Sequence, residues 1–217
     1  MFDSDRSPPN MGGVQHLAHW SGPTLMLGGF LLAIHYLTHP LGETPSFILT
    51  SVWMPVHFIG AVAWVLILLG SAGFYSQYSG KLGRLGWVGF LLAFVGGANR
   101  PGELLVVGTV IGPLIAAQTP SLLETGGSLY SPLLLTVGLI TVIYGVGFFL
   151  LAIATIRAAI IPNTAIVPRV SLWMVIFAVP LALGFFLLFV IGSIAGLIFS
   201  LGLVGWGYGL WLTESSM

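Results

Sequence analysis

From Val170 to Leu212 the chain carries no Asp, Glu, Lys, Arg or His. A bilayer crossing needs roughly 20 predominantly apolar residues, so this stretch is about twice the length of one crossing. Several shorter stretches of the same character precede it. Backbone N–H and C=O groups cannot be left unpaired in hydrocarbon, which restricts such segments to helices. The chain therefore reads as an all-α, polytopic transmembrane helical bundle, a single transmembrane domain over residues 1–217.

Composition agrees. Of 217 residues, 57% are hydrophobic and 6% charged, against about 25% charged in ordinary soluble domains. Too few charges are present to coat a water-facing surface, and the lipid bilayer is the expected partner. Six basic and six acidic residues cancel. With no basic stripe, no nucleic-acid partner is expected. The absence of cysteine excludes disulfides, iron–sulfur clusters and thiolate metal sites.

Six spanning helices are expected, at about 17–38, 53–75, 85–117 (interrupted), 129–156, 170–191 and 194–212, with Gly192-Ser193 as the tight turn between the last two. Residues 1–13, which include Asp3, Asp5, Arg6, Pro8 and Pro9, lack the basic-then-apolar order of a cleavable leader. They are expected to form a short retained tail. Pro40, Gly42 and Pro45, the Gly80–Arg84 segment, Thr119–Ser128 and Pro162–Pro168 mark the connections. Ser51 is expected to cap the second helix, with Pro55 in its first turn. Lys81 and Arg84 lie in the second loop, and Arg157 and Arg169 flank the fourth. The first and third loops carry only Glu43 and Glu124. The excess of cations on one side predicts an integral cell-membrane protein with both termini cytoplasmic. Tyr75, Tyr78, Trp87, Trp173, Trp206 and Trp211 fall near span ends, where interfacial aromatic belts are expected. The many glycines inside the spans suit close helix approach.

Two polar groupings interrupt the apolar spans. All five histidines, His16, His19, His35, His39 and His57, precede residue 58. His35 and His39 are four apart and share one helix face. His57 enters the next helix at the same outer end, so the three are expected to meet. His16 and His19 lie roughly 24 Å away at 1.5 Å per residue and cannot join them. The second grouping is Asn99-Arg100-Pro101-Gly102-Glu103. A charge near the bilayer core costs at least about 2.5 kcal/mol and marks a candidate site. Arg100 and Glu103 are three apart, at ion-pairing distance on a helix. Pro101 removes a backbone donor and disfavours helix at Arg100, so a kink or break is expected there. Beyond Glu103, residues 104–117 overshoot a simple crossing; they tilt, re-enter or lie along the surface. Arg100 sits roughly 22 Å from Leu85 along the helix, in the outer half with the histidines. Asn99, Arg100, Glu103, His35, His39 and His57 are thus expected to line one outward polar cavity, and the last three helices to add almost nothing polar.

At His35–Pro40 (H-Y-L-T-H-P), Trp53–His57 (W-M-P-V-H) and Gly80–Phe90 (G-K-L-G-R-L-G-W-V-G-F), the chain resembles a group of bacterial multi-pass membrane proteins without assigned function. An acidic residue at Glu103 and the Gly-Tyr-x-Leu-Trp run at Gly207–Trp211 belong to the same resemblance. It implies a six-helix bundle, groups His35, His57 and Glu103, and implies no activity.

Several functions fit these residues. His35, His39 and His57 are a cofactor-binding set if they ligate a haem b or a chlorophyll-type magnesium. They serve instead as a proton relay or quinone contact, or simply bond backbone carbonyls at the interface. Arg100 and Glu103 are either a structural pair or a substrate grip. With no recognisable catalytic constellation in a small chain, the leading expectation is an accessory subunit or small-ligand-binding bundle among other membrane subunits. A small transporter opening at Arg100 and Glu103 is the alternative, and a haem- or quinone-dependent oxidoreductase the third.

Overall fold

The computed structural model describes residues 13, 18–40, 44–124, 126–162, 164–183 and 189–215; among them every regular element is helical. Helix α1 spans Ser21–Thr38. His39 then turns extended (φ −67°, ψ 130°) ahead of Pro40, the conformation that a residue before proline favours. A single helical turn, α2 (Pro45–Ile48), lies in the connection. Helix α3 runs from Trp53 to Gly102. π-helical turns continue it over Glu103–Ile111, and α4 (Gly112–Gln118) completes the run. A 3-10 turn (Pro120–Leu122) leads to α5 (Tyr130–Arg157), then α6 (Ile166–Leu183) and α7 (Phe189–Ser215).

Helix α3 folds back on itself. Gly83 has φ 60° and ψ −161°, a region essentially reserved for glycine. The halves 53–82 and 84–102 then pack antiparallel. Tyr75 stacks on Phe90 with ring centroids 4.3 Å apart. A methyl group at Gly97 would lie 3.2 Å from both Trp64 and Leu68. The Trp53 indole donates to Gly108 O at 2.6 Å. The members of each pair lie on opposite sides of Gly83, and the separation grows from pair to pair as in two antiparallel arms. The polar turn expected over Gly80–Arg84 therefore narrows to one residue, and its neighbours remain helical.

Among the described residues, three segments are long and apolar enough to cross a membrane: Trp53–Gln118, which contains this reversal, Ser131–Arg157 and Ile191–Thr213; Ile166–Leu181 is a shorter apolar helix. Their outward faces carry Phe58, Leu69, Val95, Leu135, Leu139, Phe177 and Leu201, all exposed. An apolar skin of that extent is suited to lipid rather than water. Inside, Trp64, Phe74, Phe148, Leu203 and Trp206 are fully buried. Glycines bring the helices together: a methyl group at Gly28 would meet Ala63 O at 3.0 Å, and one at Gly207 would meet Met26 N at 2.7 Å.

Several local expectations are corrected. The interruption at Asn99–Glu103 is a change of hydrogen-bond register, not a gap. Gly102 (φ −64°, ψ −45°) and Glu103 (φ −60°, ψ −52°) are helical, and the i→i+5 pattern begins at Glu103. Residues 104–118 stay helical throughout. Gly192 and Ser193 are not a turn but part of α7; residues 184–188, which separate α6 from α7, lie outside the described residues. The equal division of the last apolar stretch ignored that α7 has 27 residues against 18 in α6. Val52, not Ser51, precedes the first turn of α3, and no side-chain cap bond forms. Trp206 and Tyr78 are buried rather than interfacial, because both pack on the Phe74 ring at 5.3 Å.

The reversal gives a direct test. Gly83→Ala is expected to lower stability in detergent by about 1–3 kcal/mol. Gly80→Ala, at a helical position with nothing within 4 Å of the added methyl, is expected to leave it unchanged or slightly raise it. Thermal unfolding of both variants checks this.

Candidate functional site

The residues that face one another do so at the same end of each helix. On α1, Leu25, Gly28, Leu32 and His35 recur at helical spacing on the buried face, which carries the His35 ring onto α3. There it lies against the Gly60 backbone, where a methyl group would sit 2.7 Å from His35 Nδ1. The ring donates from Nδ1 to Val56 O at 2.9 Å. His57, in the second turn of α3, donates from Nδ1 to Trp53 O at 2.8 Å. A carbonyl can only accept, so both protons sit on Nδ1. His39, just beyond α1, bonds from Nδ1 to Pro40 O at 2.8 Å. Burial lowers the His39 pKa below the ordinary histidine value, which the bond to Pro40 O only partly offsets, and the ring is neutral at pH 7.

The three imidazoles touch. Ring centroids are 5.1 Å apart for His35 and His39, 5.0 Å for His39 and His57, and 5.9 Å for His35 and His57. Trp53 covers His57 at 4.1 Å, anchored by its bond to Gly108 O in the π-helical segment. π-helical turns occur often at functional sites. This one presents Gly108 to the histidines: a methyl group there would collide with the His57 Cδ2 edge.

Arg100 and Glu103 form an ion pair through Nη1 and Oε2, with side chains 8% and 20% exposed. The Arg100 Nε is buried and has no hydrogen-bond partner. Both residues join the histidines around a cavity of about 170 Å³. Asn99 does not. It is exposed, donates to Val95 O at 2.8 Å and is absent from the cavity wall, because it precedes Arg100 by one residue and so points about 100° away around the helix. His16 lies outside the described residues. His19 is exposed beside Trp20 near the other end of α1.

The far wall comes from the helices expected to add almost nothing polar, which nevertheless supply Thr141, Tyr144 and Ser193. Val137, Thr141 and Tyr144 of α5, Ala178 and Val179 of α6, and Ser193 and Phe199 of α7 line it. Tyr36 of α1 completes it, with its ring seated on the Gly196 backbone. The floor is aromatic: Trp64 meets Tyr144 at 4.6 Å and Phe199 at 6.4 Å, and Phe148 meets Phe199 at 5.2 Å. Tyr36 had a sequence signal, since it adjoins His35. Tyr144 had only the flanking Gly145 and Gly147.

A haem or chlorophyll fits the donors but not the space. Imidazole held through Nδ1–H with Nε2 left bare is the form that ligating histidines adopt. However, a cavity of about 150 Å³ takes one benzene ring, and a tetrapyrrole is several times larger. His39, in contact with both neighbours, also closes the slot between His35 and His57. Among the described residues no group of three or more His, Asp or Glu is arranged to hold a metal ion. Set against known proteins, the chain matches no family model, no curated protein and no solved structure.

The ion pair predicts its own energetics. Glu103→Leu leaves a guanidinium buried without its counter-charge and is expected to cost about 3–5 kcal/mol. Arg100→Met with Glu103→Leu is expected to recover most of that loss, because well-packed apolar replacement of a buried pair is often neutral. Unfolding of the two variants in detergent measures both.

Proposed function

We propose that this chain crosses the membrane six times with both termini cytoplasmic, and that it binds a small neutral ligand in a blind pocket in the outer half of the bundle, without chemistry of its own. The crossings are Ser21–Thr38, 53–82, 84–118, Tyr130–Arg157, Ile166–Leu183 and Phe189–Ser215. At 18 residues the shortest is roughly 27 Å long, close to a hydrocarbon core of about 30 Å. Lys81, Arg84, Arg157 and Arg169 fall at one end of these helices and Glu124 at the other, which supports the orientation.

One observation carries the ligand: a cavity of about 170 Å³ with hydrogen-bonding groups on one wall and apolar groups on the other. Binding pockets combine an apolar lining with a few convergent polar groups in this way. The charge balance supports a neutral occupant. Arg100 and Glu103 cancel, and three imidazoles in contact beside a guanidinium would repel one another if charged. Trp64, Phe148 and Phe199 pack together beneath the cavity, which supports a pocket over a channel.

The natural chain has no cysteine, so single cysteines report topology directly. Lys81→Cys and Thr164→Cys are expected to react with an impermeant maleimide only from the cytoplasmic side, and Ser46→Cys and Ser121→Cys only from outside. Any of the four labelling from the opposite face would overturn the six-crossing arrangement. For the pocket, bromobenzene is expected to quench tryptophan emission saturably in the detergent-purified chain. A methyl group at Gly145 would meet only the Val179 side chain, at 3.6 Å, so Gly145→Phe points a ring into the cavity and is expected to abolish the saturable component. Equal quenching in both proteins would remove the pocket from the proposal.

A further inference from the structure

The hydrogen-bonding capacity left over at the cavity wall is specific, and it deepens the proposed ligand-binding role, on which it rests. His35 and His57 each spend Nδ1–H on a backbone carbonyl, at 2.9 and 2.8 Å. Each is left with Nε2, a lone pair that accepts and cannot donate. Arg100 is the opposite case. One arm is spent on Glu103, and its buried Nε–H has no acceptor. A guanidinium cannot accept a hydrogen bond. Besides the Tyr36, Thr141, Tyr144 and Ser193 hydroxyls and the Glu103 carboxylate, which also line the cavity, the wall therefore carries two groups that only accept and one that only donates.

Most ligand classes fail against that set. An anion would face two lone pairs and a guanidinium already neutralised by Glu103. A cation would face Arg100. An aromatic hydrocarbon would leave all three groups unmet, and a buried polar group left unpaired is costly. A neutral ring with a hydroxyl to give and an oxygen to receive meets one imidazole and the guanidinium. The far wall suits such a ring, with Val137, Val142 and Val179 beside Tyr36, Tyr144 and Phe199.

We propose that the cavity binds a para-dihydroxybenzene (quinol) ring, one hydroxyl donating to an imidazole Nε2 of His35 or His57 and the opposite oxygen accepting from the Arg100 guanidinium. The site prefers the reduced ring. The corresponding quinone has two acceptors and no donor, so it satisfies Arg100 and leaves both imidazoles unmet. Etherification removes the donor in the same way while keeping the ring and its oxygens.

The wild-type chain in detergent, under argon, decides the matter with three probes titrated by calorimetry: hydroquinone, benzoquinone and the dimethyl ether of the first. The quinol is expected to bind at least tenfold more tightly than either of the others. Gly145→Phe is expected to abolish binding of all three. His57→Phe, which keeps a ring against Gly108 but loses the acceptor, is expected to shrink the quinol preference. Adding a decyl tail to the quinol separates a membrane-borne source, for which affinity rises in wild type and not in Gly145→Phe, from a water-borne one, for which it stays level; either supports the ring assignment. Quinol affinity equal to that of the ether overturns it. If bromobenzene still binds and Gly145→Phe still blocks it, only the quinol assignment falls. If no probe binds saturably, the ligand-binding role falls with it.

Discussion

A guanidinium enclosed by apolar helices must be neutralised where it stands, and Arg100 is neutralised one turn along its own helix by Glu103. Much follows from that short-range solution. Because both partners lie on one face, no other helix has to supply the counter-charge. The neighbouring helices meet the pair with neutral groups, the imidazoles of His35, His39 and His57 and the hydroxyls of Tyr36 and Tyr144. The charges thus stay local while their surroundings become polar, and polar surroundings in an apolar bundle leave an enclosed space with directed hydrogen-bonding needs.

The helical character of the chain was legible in its sequence because hydrocarbon leaves the backbone no alternative. The end at Thr38 was legible because proline and glycine mark the connection after it, whereas the helical turn that starts at Pro45 was not. The histidine cluster and the Arg100–Glu103 pair were legible because their partners lie three or four residues apart or across one short connection. Contacts formed through distant helices were not. Tyr144 joins the site only because α5 crosses α3 beside Gly96, and a tyrosine in an apolar run gives no sign of which way it faces. Trp206 lies near a span end and reads as interfacial from its position, yet it is buried against Phe74. Gly192-Ser193 seemed a turn because it bisects a long apolar stretch, but glycine inside an apolar helix more often marks a close neighbour than a bend.

The π-helical segment ties the two polar groupings together. It starts at Glu103, the acidic member of the pair, and includes Gly108, whose carbonyl holds the Trp53 indole over His57. Pro101 supplies no N–H to the preceding turn, and the wider turns begin directly afterwards. A proline that would simply break a helix in water here precedes a change of register, since the chain in this environment must keep its remaining donors and acceptors paired.

Three rings of the site rest on bare main chain: His35 on Gly60, His57 on Gly108 and Tyr36 on Gly196. A wall made of backbone has no side chain to lengthen, shorten or rotate. Substitution at any of these glycines displaces a ring and does not remodel a surface, so this side of the cavity has very few mutational neighbours. The opposite side, with Val137, Val142, Val146 and Val179, is built of side chains that can be exchanged one at a time. Descendants of this sequence would keep the hydrogen-bonding half of the site fixed as a frame. They would adapt to differently substituted rings through the valines, in steps of a single methyl group.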